Sequence, residues 1–322
     1  MLTRRHFLLA SAAAPALLRG ASLTSRERVD RAVKGDDVDR IPFTFWHHFL
    51  DDSKPGEDHA RSTLAFHDRF HTDLVKVMSD YAYPKPAGAW NELRLEDNPF
   101  PRQIRALELI KDGLGGNTYF VETIFNPWYV AEKLSSREQV MALKDEQPQK
   151  LLDALEVIAK SEASHARRSI RAGSAGIFLA IQNAQAGYLT EEDYVKFSEP
   201  FDKIVLEAVP SAPLNTLHLH TDAHFGDHLY VERFYKGWPA TVINYSMFTK
   251  IAPEQLRARY SGVIMTGLDE RNYRQLANLD LKKQWLSARK GAGSKFILAP
   301  GCSVPNDSTD EELQRLPKLL AA

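Results

Sequence analysis

The sequence has 322 residues, which is enough for one large α/β domain or two small ones. Apolar residues make up 43% of the chain and charged residues 26%, as in ordinary water-soluble globular proteins. The formal net charge is −1, without a long run of one sign, so no binding to nucleic acid or to an anionic membrane surface is expected. Cys302 is the single cysteine, which excludes an internal disulfide.

The first residues differ in character from the rest. Arg4 and Arg5 precede an alanine-rich apolar stretch of about a dozen residues, whereas a helix that spans a bilayer needs about 20. A charged start, a short apolar middle and small residues are typical of a signal peptide, and the paired arginines resemble the twin-arginine export signal. We therefore expect residues 1–22 to be a signal, residues 23–322 to be one domain, and the protein to be exported to the periplasm.

Short runs of β-branched and aromatic residues alternate with longer amphipathic stretches in the remainder of the chain. They predict eight strands, at residues 40–47, 73–80, 118–126, 176–183, 216–222, 241–245, 262–269 and 295–302.

Helices are predicted between the strands. The clearest covers about residues 149–172, where Leu152, Leu155 and Ile158 recur at helical spacing. Thr190, followed by three acidic residues, predicts a helix start, and Thr309 with Glu312 predicts a capping box for the last helix.

Alternation of strand and helix favours a parallel sheet, and eight repeats favour its closure into a (β/α)8 TIM barrel of the α/β class. The rival is an open doubly wound sheet, which usually has a glycine-rich phosphate turn after its first strand. No such turn is present here, because the first predicted strand runs directly into His47 and His48. We therefore expect the barrel.

In a (β/α)8 barrel the reactive groups lie at the carboxyl ends of the strands. Loops begin there and are polar in any case, but histidine, acid and thiol groups dominate these ends. The candidate residues are His47, His48, Asp80, Asn126, Gln182, Asn183, His218, His220, Asp222, Asn244, Asp269 and Cys302.

The fifth predicted strand carries the sharpest pattern. Side chains alternate along a strand, so His218, His220 and Asp222 share one face, which we expect to point into the barrel mouth. Two such imidazoles can bind one metal ion, and Cys302 at the end of the eighth strand is the candidate third ligand. Imidazole and thiolate together favour zinc with an open fourth position. His-x-His alone is common outside metal sites, and Cys302 joins the pair only through the predicted barrel.

Two end motifs resemble a known family. Residues 25–42 (SRERVDRAVKGDDVDRIP) resemble the opening helix and first strand of the uroporphyrinogen decarboxylase superfamily, and residues 296–309 (FILAPGCSVPNDST) resemble its last strand and loop. The resemblance runs from about residue 24 to the C-terminus and implies a (β/α)8 barrel.

The methyltransferase branch of this superfamily binds zinc through a His-x-Cys pair and a distant cysteine. The resemblance places His218 and His220 at the pair and Cys302 at the distant position, with His220 replacing a cysteine. It implies Zn²⁺ as cofactor and a corrinoid as substrate or as part of a partner protein. One thiolate fewer makes the site less electron-rich for activating a thiol.

The decarboxylase branch holds its substrate with N-terminal arginines, a strand-two aspartate and a histidine in the last loop. Only Asp80 matches that pattern here, because the first strand lacks the arginines and the last loop has Cys302. A porphyrinogen bears many carboxylates and needs cations, so a smaller substrate is expected on this interpretation.

Three functions remain open. The first is zinc-dependent methyl (C1) transfer to a thiol or related nucleophile, with Asp80, Asp222 and Asp269 as acid–base or orienting groups. In this scheme His47, His48, Asn126, Gln182, Asn183 and Asn244 contact a small-molecule substrate. The second is metal-independent decarboxylation of a porphyrinogen or smaller carboxylated substrate, in which Asp80 stabilises a protonated intermediate. The third is an exported protein that binds a corrinoid or other tetrapyrrole without chemistry.

Overall fold

The structure, a computed structural model, describes residues 22–49, 53–221 and 228–321. The segment predicted as a signal peptide lies outside these residues apart from Ser22, and so does Asp222. Within them, no helix is both long and apolar enough to cross a membrane.

The described residues form seven parallel strands that pair in sequence order in one sheet. The strands are β1 (Leu74–Val77), β2 (Tyr119–Phe125), β3 (Ile177–Ile181), β4 (Thr216–Leu219), β5 (Val242–Tyr245), β6 (Val263–Gly267) and β7 (Phe296–Ala299). Each lies inside a predicted strand range. The curled sheet with its helices is a TIM-barrel-like α/β fold, which confirms the predicted class.

The predicted first strand, residues 40–47, is not a regular strand. It makes one isolated parallel bridge, between Phe43 and Leu298, with hydrogen bonds from Leu298 N to Pro42 O (2.9 Å) and from Thr44 N to Leu298 O (2.9 Å). On its other side, Asp73 N donates to Phe43 O over 2.8 Å. The segment thus lies between β7 and the start of β1, but an eighth strand is not formed.

The described residues contain eleven α-helices, which lie before, between and after the strands. They are α1 (Ser25–Lys34), α2 (Gly56–Phe70), α3 (Pro101–Leu114), α4 (Pro127–Leu134), α5 (Arg137–Glu146), α6 (Pro148–Arg171), α7 (Glu191–Phe197), α8 (Glu199–Glu207), α9 (Pro253–Arg257), α10 (Asn278–Ala292) and α11 (Asp310–Ala321).

Two predicted helix starts are confirmed. The Thr190 hydroxyl accepts a hydrogen bond from Asp193 N over 3.1 Å. Thr309 and Glu312 form the reciprocal capping box, with backbone-to-side-chain distances of 2.8 and 3.3 Å.

Alternation along β1 separates the two faces of the sheet. Val75 and Val77 pack against apolar residues of α2 and α3, on the outside. Leu74 and Met78 belong instead to a second cluster, which we call the inward cluster and which contains Trp46, Val121, Phe178, Val242, Val263, Met265 and Ile297. Lys76 shares the face of Leu74 and Met78, and is therefore placed on the inward face of the curled sheet.

A closed ionic network lies at the amino end of β1. The Asp73 side chain is fully buried and accepts hydrogen bonds from Arg28 (2.6 Å), from Arg40 and from Phe43 N (3.0 Å). Arg28 also binds Asp39 over 2.7 Å. Burial opposes the charge of Arg28, but the Asp39 and Asp73 carboxylates raise the pKa of that guanidinium above its usual value. Every charge here has a partner. We call the four residues Arg28, Asp39, Arg40 and Asp73 the base network, because they lie at the amino-end base of the sheet.

Candidate active site

The two histidines lie at the carboxyl end of β4. His218 is within the strand and 5% exposed, whereas β4 ends at Leu219 and His220 follows it, held by a backbone hydrogen bond to Ile181 O. Their ring centroids are 5.7 Å apart. The structure therefore brings the predicted imidazole pair together.

Asn244 of β5 determines which nitrogen of His218 is free. Its amide nitrogen donates to Met265 O (2.9 Å) and to Pro300 O (3.0 Å), so its oxygen faces His218 as an acceptor. His218 Nδ1 lies 2.6 Å from that oxygen and must carry the proton to make this hydrogen bond. The lone pair of the neutral ring is then on Nε2, as a metal ligand or a base requires.

The surroundings of His218 keep its ring neutral. Burial, together with the nearby His220 ring, lowers the pKa of His218 well below its usual value. Phe178 of β3 stacks on the imidazole with a centroid distance of 4.8 Å and an interplanar angle of 29°. The ring is thus fixed in plane, tautomer and charge.

Cys302 lies in the loop that follows β7, on the other side of Asn244. Because Asn244 holds Pro300 O, it links this loop to His218. Glu270 accepts from Gly301 N over 3.2 Å, and a Cβ added to Gly301 would lie 2.0 Å from Ser246 Cα, so only glycine fits there. Burial raises the pKa of the Cys302 thiol, which is partly buried.

His218 and His220 lie close together, and imidazole nitrogen is a donor that zinc prefers. Among residues 22–49, 53–221 and 228–321, however, no three His, Cys, Asp or Glu side chains are close enough together to hold a metal ion. Cys302 therefore does not complete the site in this arrangement, and zinc stays a prediction.

Asp80 follows β1 and pairs with His48. His48 Nδ1 lies 3.2 Å from Asp80 Oδ1, and the Asp80 side chain is 7% exposed. Burial acts to raise the pKa of this carboxyl, but the His48 hydrogen bond, the charges of His48 and His59 and the Phe49 backbone together outweigh it, and the net pKa lies below the usual value. Asp80 Oδ2 is buried and has no hydrogen-bond partner among the described residues.

His47 points elsewhere. Its ring packs edge-on against Phe49 and Phe66, with centroid distances of 5.2 and 5.0 Å, and its Nδ1 contacts His48 O. These contacts place it in the aromatic layer outside the sheet.

Two predicted substrate contacts, Asn126 and Asn183, belong to a buried hydrogen-bond network, which Gln182 joins only through its backbone N–H. Asn126 donates to Asn183 Oδ1 (2.8 Å), and both asparagines contact Ser198 at the junction of α7 and α8. Gln182 N donates to Asn126 Oδ1. The Asn126 amide also lies 3.3 Å from Asp202, where burial raises the carboxyl pKa to about 7.

Asp269 closes a turn after β6. Its carboxylate accepts from Arg271 N (3.1 Å) and Asn272 N (2.7 Å), which is a local structural arrangement. It is 3% exposed.

Sequence reasoning missed Lys76. It lies in the middle of β1, is 8% exposed, and burial lowers the pKa of its ammonium to about 7. Its charge interacts with Asp80, Cys302 and His218, so it belongs to the same region. The signal was available, because alternation from Leu74 to Met78 places the lysine on the inward face.

The sequence also matches a family model, "Uroporphyrinogen decarboxylase (URO-D)", over residues 85–321, which is more than half of the chain. The chain belongs to the uroporphyrinogen decarboxylase family. The resemblance found in the sequence is confirmed.

Solved structures agree with this placement. A "methyltransferase from Methanosarcina mazei" superposes with a TM-score of 0.74 at 16% identity, over 93% of this chain and 99% of the other. A B12-independent methionine synthase from Shewanella sp. W3-18-1 gives a TM-score of 0.60 at 12% identity, over 87% and 91%. At such identities the likeness concerns the fold. No curated protein sequence gave a significant match. The chain is thus an enzyme-family member with methyltransferase-like neighbours.

Proposed function

We propose that this uroporphyrinogen decarboxylase-family chain is an enzyme that transfers a methyl group to a thiol or related nucleophile, with zinc bound by His218, His220 and Cys302. The observation that supports it most is the fixed tautomer of His218. A buried, neutral imidazole whose Nδ1 is committed to Asn244 offers Nε2 as a donor beside a second imidazole. When bound, zinc lowers the pKa of a coordinated thiol and so supplies a thiolate.

The chain's own residues have separate tasks in this scheme. Asn244 orients His218 and also holds the loop of Cys302 through Pro300 O. Because the described side chains form no three-ligand group, Cys302 and the two imidazoles have to come closer together when the site loads. Asp80, ionised and with one unpartnered buried oxygen, is the candidate acceptor for the proton of the thiol. Asp222 lies outside the described residues and stays a candidate orienting group.

Metal analysis of the purified protein tests this function. We expect about one zinc per chain, lost in His218→Ala and in Cys302→Ala and retained in the exposed control His228→Ala. The zinc-loaded protein should transfer a methyl group from methylcobalamin to 2-mercaptoethanol. Wild-type protein that is purified and reconstituted without binding zinc would contradict the proposal.

A second candidate function is decarboxylation of a small carboxylated pyrrole without metal. The unpartnered oxygen of Asp80 favours it, because a buried carboxylate can stabilise a cation that forms on the substrate. Metal-free protein should then release CO₂ from such an acid, and Asp80→Asn should lose this activity while Asp153→Asn, an exposed control, keeps it. Tight corrinoid binding without turnover in either assay would instead identify a binding protein.

We also propose export through Arg4 and Arg5. Replacing both by lysine should leave the protein in the cytoplasm of the expressing bacterium, and fractionation measures this. Unchanged export of the double variant would exclude a twin-arginine route.

A further inference from the structure

Lys76 is a buried lysine that forms no ion pair with any of the described residues. It is 8% exposed and lies in the middle of β1. Its ammonium contacts the Met78 sulfur at 3.1 Å, which is a weak acceptor. A charge in this position lacks the partner that buried charges normally have.

Two aromatic faces form the walls of this position. The ammonium lies 5.0 Å from the ring centre of Trp46 and 4.9 Å from that of Phe178, and the two rings meet edge-to-face at 5.4 Å. The lysine is therefore fixed between the two rings, one of which also stacks on His218.

Asp80, in turn, has a carboxylate oxygen that accepts no hydrogen bond from the described residues. This oxygen, Oδ2, is buried, and the charge of Asp80 interacts with that of Lys76 without forming an ion pair. Asp80 Oδ1 has His48 as its partner, but the Lys76 ammonium and Asp80 Oδ2 do not contact each other, and a buried polar group without a partner costs free energy. A molecule that offers an anionic oxygen to Lys76 and an N–H or O–H to Asp80 satisfies both.

We propose that Lys76 binds a carboxylate of the substrate, next to Asp80, whose contact with a substrate donor the family resemblance already implies. The proposal deepens the proposed function, since it rests on the substrate lying at this end of the strands. A carboxylate fits better than a phosphate, because one ammonium between two rings neutralises one charge, and a phosphate dianion needs several donors. The substrate class is thus a small carboxylic acid with a nearby N–H or O–H group.

Burial also keeps the ammonium poised for such a partner. It lowers the pKa of Lys76 to about 7, and an arriving carboxylate favours the protonated form. At pH 6 the lysine is charged, so binding is best measured there.

The test uses the protein as purified, at pH 6, and two ligands that differ in charge. Pyrrole-2-carboxylate carries the anion and an N–H, and pyrrole-2-carboxamide is its neutral counterpart. We expect the carboxylate to raise the midpoint of thermal unfolding saturably and the carboxamide to leave it unchanged. Calorimetry should show binding of the carboxylate about 10- to 100-fold weaker in Lys76→Met, as expected for loss of a hydrogen bond to a charged group.

Matched variants separate the roles. Lys196→Met removes an exposed lysine that lies 5.0 Å from the ring centre of Phe197 and should bind like wild type. Asp80→Asn should weaken the carboxylate less than Lys76→Met does. Without ligand, Lys76→Met should unfold at a higher temperature than wild type, since it removes an unpaired buried charge.

Equal responses to carboxylate and carboxamide, equal binding by wild type and Lys76→Met, or stronger stabilisation by inorganic phosphate would overturn the proposal. So would failure of both Lys76→Met and Lys76→Gln to fold, which would assign the lysine a structural role. His220→Ala distinguishes this inference from the proposed function. Carboxylate binding should persist in that variant even where zinc and methyl transfer are lost.

Discussion

The two ends of β1 contrast in how they treat buried charge. At the amino end, the base network gives Asp73 two guanidinium groups and a backbone N–H. Toward the carboxyl end, and among the described residues, Lys76 forms no ion pair and Asp80 keeps an oxygen without a hydrogen-bond partner. In barrels of this type, stability concentrates at the amino end and chemistry at the carboxyl end. Along the four residues of β1, the charged groups thus change from fully paired at the amino end to groups that a bound ligand would pair at the carboxyl end.

The largest expected effect lies in the base network. Asp73→Asn leaves the buried Arg28 with Asp39 alone and Arg40 without its partner, and we expect a loss of about 3–5 kcal/mol in the free energy of unfolding. Urea denaturation measures it. Asp310→Asn removes an exposed partner of Arg69 and should cost less than about 0.5 kcal/mol. Similar losses in the two variants would remove the contrast between the ends.

A pair of buried asparagines sharpens the comparison. Asn244 lies toward the carboxyl end of β5, and Asn215 directly precedes the amino end of β4. Both side chains are fully buried, and each donates to two backbone carbonyls. We expect Asn244→Ala and Asn215→Ala each to lose about 2 kcal/mol in unfolding free energy. Only Asn244→Ala should weaken zinc binding, by about 10- to 100-fold, because it frees His218. A metal affinity that falls equally in both would show that Asn244 has no special role.

Asp202, in α8, is a third buried polar group, and it belongs to neither end of β1. Burial raises its pKa to about 7, so the folded protein keeps a proton that the unfolded chain loses above about pH 4. Stability should therefore fall as pH rises from about 4 to 7, by at most about 1.4 kcal/mol per unit. Asp202→Asn should remove this slope, measured by urea denaturation across that range, whereas exposed Asp153→Asn should keep it. An unchanged slope in Asp202→Asn would assign it to other groups.

The smallest effect is expected at the last helix. Thr309→Ala removes the hydroxyl that caps α11 and should cost about 1 kcal/mol. Since the cap lies beyond the Cys302 loop, zinc content should stay at the wild-type level. A loss of metal in this variant would mean that α11 positions the thiol.

The sequence predicted the sheet well because its signals are local. Apolar runs located β1 to β7, and side-chain patterns located the starts of α7 and α11. It was wrong about a regular first strand. Pro42 has no N–H to donate, and Phe43 N is taken by the Asp73 carboxylate instead of a strand neighbour.

The site was predictable only in part. Alternation placed His218 and His220 together, but strand-end position did not reveal that Asn126 and Asn183 meet Ser198 and Asp202 from a distant helix junction. Such partners depend on tertiary packing that a single sequence does not display. Lys76 was missed because side-chain alternation along β1 was not used to assign this lysine to the inward face of the sheet.

The contact between Phe43 and Leu298 has a consequence for biosynthesis. The backbone around Phe43 emerges from the ribosome well before Leu298, so the two halves of this junction meet only after β1 to β6 have been made. Nascent chains released before Leu298 keep two open sheet edges, which invite association with other chains. Synthesis of β7 therefore determines whether residues 42–44 find their partner strand or the sheet edges stay free to associate with other chains.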